Sequence, residues 1–364
     1  MTALLREMFD HFQTDGSFEF AEPYGSGHIH DTFLVKTIEI EKDNYILQRL
    51  NKHVFKNIPE LQNNIERVTG HIRSKLLSIP GSDIKRECLN LVLSKSGKSW
   101  IIDKDLNYWR MYVFIPRHRS YNIVDSPDKA FQGGKAIGRF QTMLSDLGGE
   151  QLFDTIPYFQ NVVNRLKNFN NTIKKDPVKR KDAVKDEINF ILKRAEKMKV
   201  IIRLGKEGKI PLRTTHNDTK FNNILFDEHD KALCLIDLDT VMPGYVHYDF
   251  GDVIRTAANI AAEDEKDLSL VEMNIDLFSA FSEGYLSETS AILNETEKQY
   301  LAFAPLLITY TQAVRFLTDY IDGDNYYKIY HEHHNLQRTK AQIKLVESME
   351  EQYKDMVQII QKLS

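Results

Sequence analysis

The stretch THNDTKFNNILFDEHDKALCLIDLD, residues 215–239, contains the side chains most suited to chemistry. Two apolar segments flank a polar DEHDK turn, which predicts a hairpin that places Asn223 beside Asp237. Asp218 comes five residues before Asn223 and lies at the mouth of the loop that leads into this hairpin. Carboxylate and amide oxygens are ligands that Mg2+ prefers alongside phosphate and water. These residues predict a phosphoryl-transfer site, where a metal offsets phosphate charge and one carboxylate receives the proton of an attacking hydroxyl.

The spacing of this stretch matches a known catalytic loop. His216, Asp218 and Asn223 follow the H-x-D-x-x-x-x-N pattern of protein kinases. Lys220 stands two residues after Asp218, where many protein kinases carry a lysine that meets the γ-phosphate. Asn and Asp are also common in ordinary polar turns. The hairpin and the β-then-α order around it favour the catalytic interpretation, with His216 as structural support for the loop.

A second candidate is HYDFGD, residues 247–252, which contains the Asp-Phe-Gly tripeptide that holds magnesium in protein kinases. The predicted hairpin instead selects Asp237 as the metal ligand, because Asp237 ends the strand that pairs with Asn223. Asp249 precedes a predicted helix, so a capping role is one interpretation. The other is that Asp249 anchors the catalytic-loop backbone, as a buried aspartate does in kinase-like folds.

The first part of the chain must supply the surface that covers a nucleotide. Residues 18–50 alternate in strand fashion around a Gly-bearing turn, and apolar residues from 58 to 76 recur at helical spacing. Strand character returns in CLNLVLSKSGKSWII and NYWRMYVFI. Residues 1–115 are therefore predicted to form a β-rich lobe with one inserted helix.

The rest of the chain is dominated by helical patterns. A charged helix is predicted over 180–203, and the segment from NLQRTK to the C-terminus is predicted to be one long amphipathic helix. The β segments of 212–237 interrupt this helical half. The pattern as a whole predicts an α+β, protein-kinase-like two-lobed fold, with a small antiparallel-sheet lobe and a larger, mostly helical lobe over 116–364.

Composition limits the partners. The 48 Lys and Arg residues nearly balance the 52 Asp and Glu residues, and no basic block stands out, so a nucleic-acid or membrane surface is not expected. The two cysteines, Cys88 and Cys234, lie in apolar segments and are expected to be reduced core residues. The N-terminus lacks an apolar signal region. We expect a cytoplasmic, soluble monomer that acts on a small molecule.

The chain resembles the aminoglycoside phosphotransferase and choline kinase superfamily. Within it, the resemblance is closer to bacterial kinases that phosphorylate the anomeric hydroxyl of N-acetylhexosamines. The segments that carry it span nearly the whole chain: EPYGSGHIHDTFLV, NYILQRLN, IERVTG, RMYVFI, SYN, PLRTTHNDTKFNNIL, IDLDTVMPG, DFGD, EDEKDLS, RFLTDYIDGDNYY and HNLQRTKAQIKLV.

The resemblance implies an ATP-dependent enzyme that forms a sugar 1-phosphate and uses Mg2+. Asp218 would be the catalytic base, and Asn223 and Asp237 would bind the metal. The remaining implied contacts are the phosphate loop Gly25, Ser26 and Gly27; the adenine hinge at Tyr112, Phe114 and Ile115; and the sugar contacts His30, Arg315 and Tyr326.

The sequence also departs from the family pattern. The strand lysine that usually pairs with the α- and β-phosphates has no counterpart. Gln48 stands at its place and is predicted to contact the nucleotide, with Arg49 beside it. Glu66 on the predicted helix then lacks its usual partner, and we hypothesise that Lys220 or Arg49 supplies the missing charge. The glycine loop has only two glycines. A kinase of another small alcohol (aminoglycoside, choline or homoserine) and a nucleotide-binding pseudokinase are the alternative functions.

Overall fold

The computed structural model describes residues 2–25, 27 and 29–364. Its smaller lobe is built on an antiparallel sheet with the strand order β1-β2-β3-β6-β4, to which β5 is added by pairing with β6. The strands are β1 (Phe18–Pro23), β2 (Asp31–Thr37), β3 (Tyr45–Arg49), β4 (Leu91–Val92), β5 (Trp100–Ile102) and β6 (Tyr108–Val113). Gln48 on β3 lies opposite Arg110 on β6, so the position of the absent lysine faces an arginine across the sheet.

Two helices accompany this sheet. α1 (Thr2–Asp10) buries Leu5, Met8 and Phe9 against the sheet core, and it is a helix that the sequence analysis did not predict. α2 (Ile58–Leu77) follows the predicted apolar spacing, and it begins where the Asn57 side chain accepts a hydrogen bond from the amide of Glu60.

α2 is fixed to the larger lobe through one buried side chain. The Asn64 amide nitrogen donates to the carbonyls of Phe153 (2.8 Å) and Val241 (3.0 Å), and its oxygen accepts from the amide of Phe153 at 3.0 Å. Asn64 thereby satisfies three backbone groups, two of them in one loop and the third next to the catalytic hairpin. The orientation of α2 relative to the larger lobe is therefore defined by these bonds.

The larger lobe is mostly helical. Its helices are α3 (Pro127–Met143), α4 (Val162–Lys175), α5 (Lys185–Met198), α6 (Val200–Lys206), α7 (Val246–Ala257), α8 (Ile275–Thr289), α9 (Glu295–Gln299), α10 (Ala304–Asp322), α11 (His334–Glu351) and α12 (Tyr353–Leu363). Its short strands form two two-stranded sheets: β7 (Arg213–Thr215) pairs with β10 (Met242–Gly244), and β8 (Ile224–Phe226) pairs with β9 (Ala232–Leu235) in a hairpin.

α3 and α8 pack unusually closely, because glycines stand at the contact. A Cβ atom at Gly134 would lie 2.1 Å from the carbonyl oxygen of Phe281, and one at Gly284 would lie 2.0 Å from that of Phe131. Any larger side chain would force the two helices apart. α10 runs through the centre of the lobe with nearly all its residues buried.

The predicted fold class is confirmed, with two differences in the helices. The charged segment 180–203 begins with a 3-10 turn and divides into α5 and α6 at Lys199. The predicted C-terminal helix is also divided, at Gln352, whose side chain donates to the carbonyl of Met273 at 2.8 Å. A local amphipathic pattern does not contain this tertiary hydrogen bond, which explains why the division was not predicted.

One stretch, Glu295–Asp322, is long and apolar enough by composition to cross a membrane. In the folded protein 89% of its most apolar window is buried. This stretch is accounted for as core of the helical lobe.

Candidate active site

The catalytic loop begins at the end of β7 and leads into the β8–β9 hairpin. The amide of Ile236 donates to the carbonyl of Asn223 at 2.9 Å, which extends the pairing of β8 and β9 by one step. Asp237 follows in the left-handed region, with φ at 60°. Asn223 and Asp237 thus lie at the same end of the hairpin, and the Asn223 side chain donates to the carbonyl of Asp218 at 2.9 Å.

Asp249 supports the catalytic loop through hydrogen bonds from the loop backbone. Its carboxylate accepts hydrogen bonds from the amides of His216 (2.9 Å) and Asn217 (2.7 Å) and from the side chain of Gln141 (2.8 Å). Asp249 is fully buried on α7, and its carbonyl accepts from the Thr219 hydroxyl. These bonds use the carboxylate for loop support, as the sequence interpretation anticipated for a residue that does not bind metal.

His216 contributes to the same support. It is buried, and its Nε2 lies 2.9 Å from the carbonyl oxygen of Ile236. The side chain therefore links the catalytic loop to the strand that ends at Asp237. Asn217 adopts φ of 66°, a conformation that asparagine tolerates.

Asp218 and Lys220 form an ion pair at the mouth of the loop. Lys220 Nζ lies 3.1 Å from Asp218 Oδ1, and the lysine is half exposed. Burial acts to raise the pKa of Asp218, but the charges of Lys220 and His216 outweigh it and hold that pKa below its usual range. The negative charge of Asp218 raises the pKa of Lys220 in turn. Asp218 is therefore ionised at neutral pH, which a base must be.

Asn223 and Asp237 fit a magnesium ion. Asp237 is exposed to the cleft, yet the protein around it and the nearby carboxylates of Asp239 and Asp218 raise its pKa. A cation would offset this accumulated negative charge. A carboxylate and an amide oxygen facing an open cleft leave room for the phosphate and water ligands that magnesium usually keeps. Among the described residues there is no metal-binding group of three or more His, Cys, Asp or Glu side chains.

A buried ion pair occupies the region of the missing strand lysine. Arg110 on β6 forms a bidentate pair with Asp239, with Nη2 at 2.8 Å from Oδ2, and both side chains are almost completely buried. Arg110 Nε also donates to Gln48 Oε1 at 2.9 Å, while the Gln48 amide donates to Thr32. Burial acts to raise the pKa of Asp239, but Arg110 and His30 lower it overall. Gln48 thus positions Arg110, which joins the small lobe to Asp239 in the segment after β9.

Two other residues, His30 and Arg49, have surroundings that differ from those first expected. His30, predicted near the sugar, is buried, with Nε2 at 2.5 Å from Asp239 and Nδ1 accepting from the amide of Asn51, so both ring nitrogens are engaged within the protein. Arg49 pairs with exposed Asp31 rather than reaching the cleft. Glu66 is exposed on α2.

The nucleotide loop and hinge lie against each other. Tyr24, which precedes Gly25, contacts the Phe114 ring edge-on at 5.8 Å, and its hydroxyl lies 3.2 Å from His118 Nε2. Gly25 has φ of 78°, which glycine adopts without strain. Gly27 has open space where a side chain would stand. Ser26, also predicted to contact phosphate, is outside the described residues.

The other two hinge residues are buried. The Tyr112 side chain packs in the main hydrophobic core near the end of β6, and Ile115 packs on Leu225 and Cys234 of the β8–β9 hairpin. These buried side chains cannot contact an adenine, and contact through the backbone stays a prediction. Ile115 links the segment after β6 to the β8–β9 hairpin.

One region of the larger lobe, which contains the predicted sugar contacts Arg315 and Tyr326, combines arginines with aromatic rings. Arg315 is half buried, between the rings of Phe159 (5.4 Å) and Tyr327 (5.5 Å), and Tyr327 contacts Tyr326 edge-on at 4.8 Å. The charge of Asp218 acts on Arg315, so the group lies near the base. Burial and the positive charge of Arg315 lower the pKa of Arg165 to about 10. Two positive groups and three aromatic rings therefore occupy one region.

A second set of charges lies on α7 beside the catalytic loop. Asp252 accepts from Arg255 Nε (3.1 Å) and Nη2 (3.0 Å), and Arg255 Nη1 donates to Glu263 at 2.6 Å. The charges of Asp252 and Glu263 both act on Lys220. Sequence analysis did not select these residues, although Asp252 belongs to the HYDFGD segment. The spacing of three residues between Asp249 and Asp252 on a predicted helix indicates that both lie on one helix face, and this spacing could have identified Asp252.

A separate cavity of about 350 Å3 lies behind the β8–β9 hairpin, away from Asp218, and Cys88 and Cys234 both line it. Both are buried free thiols, in agreement with the sequence interpretation. Burial raises the pKa of the Cys88 thiol to about 12. A protonated, buried thiol is a poor nucleophile, so neither cysteine contributes to the chemistry of the cleft.

Comparison with known proteins supports the same chemistry. The family described as "Phosphotransferase enzyme family" (APH) matches residues 21–273. Among solved structures, an aminoglycoside phosphotransferase from Alicyclobacillus acidocaldarius aligns with a TM-score of 0.61 at 10% identity, covering 98% of this chain and 96% of that one.

Two further structures share the fold. Amicoumacin kinase hAmiN in complex with AMP-PNP, Ca2+ and Ami has a TM-score of 0.58 at 12% identity, with 94% and 92% of the two chains covered. A Plasmodium vivax ethanolamine kinase has a TM-score of 0.54 at 12% identity, with 92% and 83% covered. At these identities the structures establish the two-lobed fold, and they act on different acceptors.

Proposed function

Because the chain belongs to the phosphotransferase enzyme family, we propose that it transfers the γ-phosphoryl group of ATP to the anomeric 1-hydroxyl of an N-acetylhexosamine, GlcNAc or GalNAc. The product is the sugar 1-phosphate. The observation that carries the choice of acceptor is the group of arginines and aromatic rings beside Asp218.

The chain's residues divide the work of transfer. Asp218 orients the anomeric hydroxyl and takes its proton as the new P–O bond forms, and the bond from the γ-phosphorus to the bridging oxygen of ADP breaks. Lys220, which lies 3.1 Å from Asp218, would contact the γ-phosphate. Asn223 and Asp237 would hold Mg2+, which offsets charge on the β- and γ-phosphates when bound. An anomeric hydroxyl is more acidic than an ordinary alcohol, which eases the task of Asp218.

The positive charge of the two arginines in this region favours a neutral, N-acetylated sugar as the acceptor. Arg165 and Arg315 are close enough for the charge of one to lower the pKa of the other. A cationic acceptor such as choline or an aminoglycoside would be repelled there, whereas an N-acetyl carbonyl can accept from a guanidinium. The apolar C–H face of a hexose also matches the rings of Phe159, Tyr326 and Tyr327. The same reasoning predicts that glucosamine, which carries an ammonium group, is a poorer acceptor than GlcNAc.

The rival functions differ in their expected products. Homoserine, whose carboxylate suits an arginine, is a stronger rival than choline. A pseudokinase would bind nucleotide and form no phosphorylated product, but the Asp218, Asn223 and Asp237 set argues for turnover.

The test is a panel of GlcNAc, GalNAc, glucosamine, homoserine, choline and an aminoglycoside, each with ATP and Mg2+. ADP release is measured, and the product is identified by mass spectrometry. We expect sugar 1-phosphate from GlcNAc or GalNAc with the highest kcat/KM. Preferred turnover of a cationic acceptor, or nucleotide binding without product from any acceptor, would overturn the proposal.

A further inference from the structure

Asp252 lies on the face of α7 that supports the catalytic loop. It lies three residues after Asp249, and residues at this spacing share one face of a helix. Asp249 uses that face to hold the catalytic loop. Asp252, one turn further on, is therefore directed at the same loop, nearer to Asp218 and Lys220.

The two carboxylate oxygens of Asp252 have different environments. Oδ1 accepts both hydrogen bonds from Arg255. Oδ2 is buried and has no hydrogen-bond partner among residues 2–25, 27 and 29–364, although the side chain is only 5% exposed. A buried carboxylate oxygen without a donor is costly. A donor that arrives with the ligand could remove this cost.

The charges that act on Asp252 include two from the catalytic loop. Burial and the negative charge of Asp218 raise the pKa of Asp252, while Arg255 and Lys220 act in the opposite direction. Arg255 is itself held by Glu263. The position of Asp252 is thus fixed by Arg255 before any ligand enters.

We propose that Asp252 Oδ2 accepts a hydrogen bond from a second hydroxyl of the acceptor, one that is not phosphorylated. The inference rests on the proposed function, and it assigns Asp252 as a specificity-determining residue rather than a base. Arg255 and Lys220 offset much of the charge of Asp252, so a neutral hydroxyl donor suits it better than an ammonium group. The enzyme would then require a polyol acceptor and would reject simple mono-alcohols of similar size.

The experiment combines Asp252→Asn with GlcNAc analogues that lack one ring hydroxyl at position 3, 4 or 6. In the variant, the amide oxygen remains with Arg255, and the amide nitrogen replaces Oδ2, so it cannot accept from a hydroxyl. We expect the wild-type kcat/KM to fall roughly 10- to 100-fold for one analogue, the loss typical of a hydrogen bond to a charged group. The kcat/KM of Asp252→Asn for GlcNAc should be lower than the wild-type value by a similar factor. Its kcat/KM for that analogue should be no lower than the wild-type value for the same analogue.

The KM for ATP and the thermal midpoint of Asp252→Asn are measured alongside, and Asp146→Asn on the surface serves as a matched control. Equal losses by Asp252→Asn on GlcNAc and on every analogue would overturn the inference, because a general structural defect gives that result. Should the variant fail to fold, undiminished wild-type kcat/KM on all three analogues would overturn the inference without it, and a selective loss on one would support it. A wild-type protein that turns over no N-acetylhexosamine overturns the proposed function as well.

Discussion

Asp218 and Lys220 set each other's ionisation. The lysine keeps the carboxylate charged in a site where burial favours its neutral form, and the carboxylate strengthens the lysine's hold on its proton. The pair therefore prepares a base that remains ionised under mildly acidic conditions.

Replacing Lys220 with Met should move the acidic limb of the kcat–pH profile to higher pH. Without the ammonium group, burial raises the pKa of Asp218, so protonation of the base begins nearer neutrality. The midpoint of the limb is the measured quantity, because loss of a phosphate contact lowers kcat at every pH. Lys174→Met, an exposed change on α4, is the control, and an unmoved midpoint would contradict this account of the pair.

Asp218→Asn should lower kcat about 10²- to 10⁴-fold, the range typical of losing a general base. The amide preserves the side-chain shape, so ATP affinity measured by calorimetry should stay close to the wild-type value. Turnover near that of the wild type would remove Asp218 from the role of base.

At the scale of elements, α7 and the β8–β9 hairpin meet at the catalytic loop with separate duties. α7 presents Asp249 to the loop backbone, whereas the hairpin presents Asn223 and Asp237 to the cleft. Loss of the Asp249 contacts should therefore affect folding, and loss of Asn223 or Asp237 should affect metal binding.

Asp249→Ala should destabilise the protein by about 3 kcal/mol, because the amides of His216 and Asn217 would lose their buried acceptor. The unfolding free energy measured by chemical denaturation and the activity should fall together. The Mg2+ concentration needed for half-maximal rate should not change selectively. Asp237→Asn should show the opposite result. Its stability should be near normal, and it should need a higher Mg2+ concentration for half-maximal rate. A variant at Asp249 that kept full stability but lost Mg2+ affinity would reverse the two assignments.

The Arg110–Asp239 pair links β6 to the loop after β9. Asp239→Asn should cost about 3 kcal/mol of unfolding free energy, since it leaves the buried guanidinium without its counter-charge. The double variant Arg110→Met with Asp239→Asn should cost less than the sum of the two single changes. Urea denaturation of the four proteins measures this coupling, and simple additivity would show that the pair contributes no mutual stabilisation.

At the scale of the whole molecule, nucleotide binding should stabilise the fold, because a ligand that binds only the native state shifts the folding equilibrium towards that state. ATP with Mg2+ at about 100 times its dissociation constant should add about 2.7 kcal/mol to the unfolding free energy. The rise in thermal midpoint should shrink when a chelator removes the metal and should be smaller in Asp237→Asn. An equal rise in that variant would show that nucleotide binding does not use Asp237.

The sequence predicted the local parts of this architecture better than the distant ones. The spacing of Asn223 and Asp237 follows from hairpin pairing, which depends on adjacent segments. By contrast, Arg110 and Asp239 are 129 positions apart, and no periodic pattern relates them. The free oxygen of Asp252 likewise depends on how Arg255 folds back along α7, so residue type alone could not reveal it.

The three hydrogen bonds by which Asn64 fixes α2 to the larger lobe have a consequence for regulation of the enzyme. Protein kinases are turned on and off by movements of the helix that carries the glutamate partner of their strand lysine. Here that lysine is replaced by Gln48, Glu66 is exposed, and Asn64 ties α2 to Phe153 and Val241. In the part of the chain that the structure describes, α2 is thus fixed and does not carry the lysine–glutamate pair through which such a helix acts as a switch. We therefore expect the enzyme to be permanently competent, with its output in the cell governed by the supply of acceptor and ATP.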